Sequence, residues 1–309
     1  MKPYRATVIV TALLLAASSP AMAAQGGNSA YVIGAQTINP GTLREGAQMQ
    51  TFSVYYKSSE FEDSNGNARF SDFHTEVEVQ AFRFQYVLPE KYTPGFNVGF
   101  AMLAPFFHIE TFRQPFKGPA VHGKDVGLSD PLLTPLMIGN SFDMPILGHV
   151  NQAFRFTVNM PIGNYSESKP INVGHHYWAF LPSYGIDAHP DEKTTLGLNF
   201  TYIRNNPNLD DGYRSGQETV TEFVGMRKVA DKLSVGLNGY FYKQVSGDVQ
   251  KDGTPFNGDG FYGRALAVGP QLQYQVNDNI GATLKWQHEM MVHDRPQGDR
   301  LWLQLSFRL

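Results

Sequence analysis

Nine histidines are the first residues to test for chemistry. A hydrolase acting on lipid from the outside of a barrel needs a serine and a histidine within hydrogen-bond reach on one face. His176 and His288 fall on the apolar sides of their stretches, and neither has a serine two residues away on that side. His175 and His176 are adjacent, so a regular strand points them to opposite faces and they cannot share a metal ion. Asp63-Ser64-Asn65-Gly66-Asn67 and Asn257-Gly258-Asp259-Gly260 have calcium-loop composition. Neither keeps the alternating acidic spacing or the distal Glu, so both read as loop tips. The expectation is no catalytic residue, no metal and no cofactor.

A second set of residues suggests contact with a solute instead. Arg83 and Gln85 share a face, as do Asn151, Arg155 and Asn159. So do Gln271 and Gln273; Lys285, Gln287 and Glu289; and Gln304 and Arg308. Asn199 falls among Thr and Gly, and Tyr177, Tyr240 and Tyr242 take the same parity as these polar residues. Such side chains would line a wet bore, and the tyrosines would either fill it or stack on an aromatic solute.

Period-2 strands are needed to hold them. The last ten residues read R-L-W-L-Q-L-S-F-R-L, with Leu301, Leu303, Leu305, Phe307 and Leu309 opposite Trp302, Gln304, Ser306 and Arg308. The same alternation recurs in about twelve stretches: 49–57, 75–88, 95–108, 127–139, 148–160, 175–188, 194–204, 217–228, 233–244, 262–276, 280–291 and 300–309. Strand one carries Phe52, Val54 and Tyr56 on one face. Strand two places Glu76 and Glu78 on its aromatic face, so these must stand above any lipid. Strand four contains Pro131 and Pro135, each of which removes a ladder donor. Strand eight is ambiguous, with Glu222 on the side of Val220, Val224 and Met226.

Long polar connections follow the odd strands, the last running through Asp299, and short ones follow the even strands. A soluble sandwich has no reason to sort its loops this way, whereas an outer-membrane barrel does. Backbone groups in hydrocarbon need partners, so the sheet must close. A Lys or Arg facing lipid near the midplane would cost about 2–4 kcal/mol, which sends Arg83, Arg155 and Lys285 inward. The reading is an all-β fold, a transmembrane antiparallel β-barrel with short periplasmic turns, long extracellular loops and both termini in the periplasm.

The N-terminus and the composition fit that address. Lys2 and Arg5, the apolar run Val8 to Ala17 and Ala21-Met22-Ala23 form a signal peptide, expected to be cleaved after Ala23. The run is too short for a membrane helix, which needs about 20 residues. Of 25 basic residues, removal of Lys2 and Arg5 leaves 23 against 28 acidic ones, which argues against a nucleic-acid partner. There are no cysteines, so no disulfide holds a chain read as secreted. The domain plan is 1–23 signal peptide, 24–48 a periplasmic arm or lumen plug, and 49–309 the barrel.

Three short motifs carry a resemblance. Gly127-Leu128-Ser129-Asp130-Pro131 matches a G-x-x-D-P pattern, with Ser129 where Gly is expected. Trp178-Ala179-Phe180-Leu181-Pro182 follows Asn172-x-Gly174, and Ser215-Gly216-Gln217-Glu218 opens a strand with Gly225 near its end. In this order, over roughly residues 50 to 309, they resemble the outer-membrane family of the meta-pathway of phenol degradation. The resemblance implies passive uptake of small hydrophobic or aromatic solutes. Outer-membrane lipid and the barrel assembly machinery would be the other partners. A lipid hydrolase and an adhesive barrel are the alternatives.

Overall fold

The computed structural model describes residues 29–309 apart from residue 259. The predicted signal peptide, residues 1–23, therefore lies outside the described residues, as do residues 24–28. The strands are β1 (Gly46–Glu62), β2 (Asp72–Val87), β3 (Asn97–Gln114), β4 (Val121–Leu128), β5 (Leu132–Met144), β6 (Gly148–Asn159) and β7 (Ala179–His189). They continue as β8 (Thr194–Asn205), β9 (Glu218–Ala230), β10 (Leu233–Gln244), β11 (Arg264–Asn277), β12 (Ile280–His293) and β13 (Arg295–Arg308).

Every pairing is antiparallel between wall neighbours, and β1 pairs with both β2 and β13, so the sheet closes on itself. β4 pairs with the far half of β3 (Phe106–Arg113) and β5 with its near half (Asn97–Leu103). The two segments occupy one wall position, and the thirteen segments make a twelve-stranded barrel. The break falls at Ser129-Asp130-Pro131, where proline removes a donor. β4 has no strand on its other side. The connection 160–178 covers it, with Lys169 Nζ 2.5 Å from Asp125 Oδ1 and the Val173 N–H donating to Asp125 Oδ2 at 3.0 Å.

Side chains sort by parity. On the outside, Leu198 is 52% exposed and Leu237 59%, while their inward neighbours Asn199 and Asn238 are buried. Among the described residues no helix is long and apolar enough to cross a membrane; this barrel would cross with strands. β1, β2 and β3 have 17, 16 and 18 residues. A tilted spanning strand needs only about 9–11, so their long-loop ends project past the hydrocarbon. Charge collects on the outer surface there. Lys57 meets Glu76 at 2.7 Å, His108 meets Glu78 at 3.6 Å, and His122 meets Glu110 at 3.0 Å.

Three expectations need correction, and strand eight, ambiguous in the sequence, resolves. Strand one turns its apolar face inward: Phe52 and Val54 are buried, and Tyr56 reaches Glu289 on β12, two strands along the wall. Strand eight also faces Val220, Val224 and Met226 inward beside Glu222. Strand six begins at Ala179 rather than 175, and His176 takes a φ of +56°, outside the extended region. The last connection is not long. Asp294 alone, at φ +50°, separates β12 from β13, and residues 295–299 already pair with β1. Those residues stand past the hydrocarbon, where nothing forces alternation, so they resemble a loop.

The sorting of faces predicts that Leu303→Arg on the lipid-facing side of β13 costs about 2–4 kcal/mol of folding free energy, the midplane cost of a cation. Lys57→Ala, in the charged surface, should stay within about 0.5 kcal/mol. Urea unfolding in lipid vesicles measures both, and equal costs would contradict the assigned lipid face.

Candidate functional site: the barrel lumen

The bore is not empty. Residues 29–45 thread it from the long-loop end to the short-turn end, where Gly46 opens β1. Ser29 contacts Glu218, at the long-loop end of β9. This differs from the expectation that the amino-terminal part begins on the periplasmic side. Deeper in, the Tyr31 hydroxyl donates to Glu222 Oε2 at 2.5 Å and the Gln36 N–H to Oε1 at 2.9 Å. Thr37 donates to Gln271 Oε1 at 3.1 Å. The Gly41 N–H reaches Asp187 Oδ1 at 2.6 Å, and Thr42 Oγ1 reaches Oδ2 at 3.0 Å.

The wall donates in return. Lys285 Nζ lies 2.5 Å from the Gly34 carbonyl and 2.8 Å from Thr37 Oγ1. Arg300 donates to the Ile33 carbonyl at 2.9 Å. Gly185 on β7 and Gly197 on β8 face this segment where Pro40 passes. A methyl group on Gly185 would overlap the Pro40 carbonyl, and one on Gly197 would press on its ring. These two glycines let the backbone approach the wall.

The inward residues named from the sequence fall into three groups. The first holds the segment or its carboxylates. Gln271 and Lys285 bond the segment directly, while Asn151 donates to Asp187 and Asn199 to Glu222. The second braces the wall. Gln287 donates to Asn238 at 2.6 Å and accepts from Trp302 Nε1 at 3.0 Å. Tyr240 donates to Glu289 at 2.5 Å, and the Arg300 guanidinium lies 3.8 Å from that carboxylate. Arg295 stacks 4.1 Å over Tyr242. Tyr177 and Asn159 bond through the Tyr177 carbonyl. Tyr177, Tyr240 and Tyr242 are fully buried against Ala30 and Ile33 of the segment, so their faces are covered.

The third group borders open space. A cavity of about 360 Å³ at the short-turn end is lined by Gln85, Gln273, Gln304 and Arg308 among other polar groups. A smaller cavity of about 50 Å³ lies deeper, between the segment and the wall. Phe52, Leu103, Leu132 and Leu181 line it with Val32 and Ala35. Arg83 and Arg155 border both cavities.

Three bore carboxylates that the segment or its neighbours require were missed in the sequence: Asp187, Glu218 and Glu222. Parity was the available signal. Asp187 alternates with Ser183 and Gly185, but valines beside Glu218 and Glu222 hid the polar face.

The motif residues meet at the wall break. The Asp130 carboxylate accepts from Gly163 N–H at 2.9 Å, His175 N–H at 2.8 Å and Asn159 Nδ2 at 3.3 Å. Ser129 Oγ donates to the Val173 carbonyl at 2.5 Å. Gly127 adopts φ +152° with Asn164 packed where a side chain would project. Pro131 ends the ladder, and Trp178 and Pro182 lie on the outward side of the β7 region. Gly225 is on the outward side of β9. His176 lies 3.4 Å from Asp210 and stacks on Tyr165, and His288 lies 2.9 Å from Asp299. Neither is hydrogen-bonded to a serine among the described residues. The two calcium-loop-like stretches lie at the long-loop end, Asp259 being outside the described residues, and no group of three or more potential metal ligands occurs among the described residues.

A family model matches most of the chain, and one solved outer membrane channel shares this architecture. The family model described as "Putative MetA-pathway of phenol degradation" matches residues 58–305. An outer membrane channel from Pseudomonas putida F1 superposes with a TM-score of 0.71 at 16% identity, covering 87% of this chain and 97% of that one. The β domain of the Bordetella autotransporter Brka gives 0.45 at 8% identity, covering 85% and 99%. A FadL homologue from Pseudomonas aeruginosa gives 0.42 at 8% identity, covering 93% and 97%. No curated protein matches the sequence.

The wall break yields a prediction about acid. Burial pushes the Asp130 carboxyl up, but the His175 ring and the N–H groups of His175 and Gly163 outweigh it and hold the carboxyl below its ordinary value. Its contribution to stability is then complete above the unfolded carboxylate range, near about 4. It disappears as pH falls through the lower folded value. Asp130→Ala should cost about 3 kcal/mol, the scale of hydrogen bonds to a buried charge. The variant should also flatten the acid limb of stability. Unfolding midpoints across pH 2–7 measure both, and an unchanged acid limb would contradict the assignment.

Proposed function

Because the chain belongs to the phenol-degradation family whose model spans residues 58–305, we propose that it is a passive outer-membrane channel for small hydrophobic or aromatic molecules. The short turns face the periplasm, the long loops face outward, and residues 29–45 act as a plug. The observation that carries the reading is the bore itself. A closed wall holds a polar cavity at the short-turn end and, bordered by some of the same residues, a smaller and mostly apolar one beside the threaded segment. Apolar lining with a few convergent polar groups is the pattern of a small-molecule path. Aromatic solutes as cargo rest on the family and on that lining.

The anchors of the segment suggest how passage is controlled. Glu222 and Asp187 hold it at two depths, and each accepts from at least two groups of the segment. Shifting the segment would join the cavities to the long-loop end. No energy source is required, since the solute gradient drives flux.

Cells that lack other porins and express the chain should take up radiolabelled phenol-sized aromatics several-fold faster than cells without it. Equal rates would overturn the channel reading. In planar bilayers, the paired change Glu222→Ala and Asp187→Ala should raise conductance several-fold by loosening the segment. Unchanged conductance in a folded variant would remove residues 29–45 from gating.

A further inference from the structure

We infer that Arg83 and Arg155 form a binding site in the bore for the carboxylate of a small organic acid with an apolar body. Arg155 is 5% exposed, and neither its Nε nor its Nη1 has a hydrogen-bond acceptor. Arg83 Nη2 lies 3.9 Å from Met137 Sδ, a weak acceptor. A guanidinium kept from water without an acceptor is costly, so the Arg155 donors call for an anion.

The carboxylates that act on Arg155 have other partners. Asp187 and Glu222 act on Arg155 through space. Their oxygens, however, accept from Gly41, Thr42 and Asn151 in one case and from Tyr31, Gln36 and Asn199 in the other. Glu289 is taken by Tyr56, Tyr240 and the Gly298 N–H. Arg155 thus presents donors that the protein itself leaves unmatched, and Arg83 borders the same two cavities.

Their position selects the ligand. Both border the polar cavity of about 360 Å³, from which a charged solute can arrive in water. Both also border the apolar cavity of about 50 Å³ beside Phe52, Leu132 and Leu181. That volume admits a few carbon atoms against a mostly apolar lining, with Thr134, Thr157, Ser183 and Thr201 also on its wall. A carboxylate would take the fork-shaped donors, which match its two oxygens. The apolar part would point toward the leucines, with the remainder in the larger cavity. A small inorganic anion would satisfy the charge and leave the apolar wall unused.

This inference deepens the channel reading and rests on it for its meaning as cargo, but binding and flux are measured separately. Benzoate and its neutral isostere benzamide are titrated calorimetrically into the full chain in detergent. Benzoate should bind at least about tenfold tighter, as a charge-assisted pair implies. Arg83→Gln and Arg155→Gln should each reduce that preference by about tenfold, while Arg155→Lys, which keeps the charge and loses the fork, should reduce it partly. Folding of each variant is checked by heat-dependent gel mobility. The comparison of the two ligands on the unaltered chain needs no variant at all. Equal binding of the two ligands, binding of neither, or a preference that survives both Gln changes overturns the site. Flux of neutral aromatics without benzoate preference overturns the site alone. Benzoate preference without flux of either solute supports the site and overturns the channel.

Discussion

Charged groups enclosed by the wall must find partners, and much of the remaining architecture follows from that requirement. A closed antiparallel barrel satisfies its own backbone, but not the side chains it turns inward. Glu222, Asp187 and Lys285 are buried. Buried ions left alone are expensive. Residues 31–42 supply Tyr31, Gln36, Thr37, Gly41 and Thr42 as partners, together with the Gly34 carbonyl. The threaded segment therefore completes the interior instead of merely occupying it. Room for its backbone comes from Gly185 and Gly197, where the wall gives up side chains.

The same logic explains the wall break. A continuous fourth strand would leave no place for the connection 160–178. Splitting it at Ser129-Asp130-Pro131 frees one buried carboxylate and one hydroxyl, which bind that connection at Gly163, Val173 and His175. A family motif that could be mistaken for a ligand site is thus the fastening of an external connection to the barrel. The charged surface on β1 to β4 has a similar origin, since strands longer than the membrane requires end in water.

Most of the barrel was legible in the chain because lipid imposes a simple rule. Every second residue of a spanning strand must be apolar, and the rule is strictest where the hydrocarbon is. Leu196, Leu198 and Phe200 obey it, as do Leu301 and Leu303, and their polar neighbours point inward. The rule fails where lipid is absent. Residues 295–299 carry no alternation, so a strand passes for a loop. It also fails where the bore is itself apolar. Phe52, Val54, Val220 and Val224 face inward because the threaded segment gives them Val32, Ala30 and other apolar contacts that water would not.

The sequence by itself determined the all-β class, the period-2 strands and the inward side of many of their polar residues. Each of these follows from local period and from the cost of polarity in hydrocarbon. Only the tertiary structure decided that residues 29–45 run through the bore, that Asp187 and Glu222 anchor them, and that Arg155 is left with donors unmatched beside the cavities that Arg83 also borders. Those facts depend on which side chains from distant strands converge on one point of a closed ring. Such convergence is set by register and closure, and no short stretch of chain encodes it.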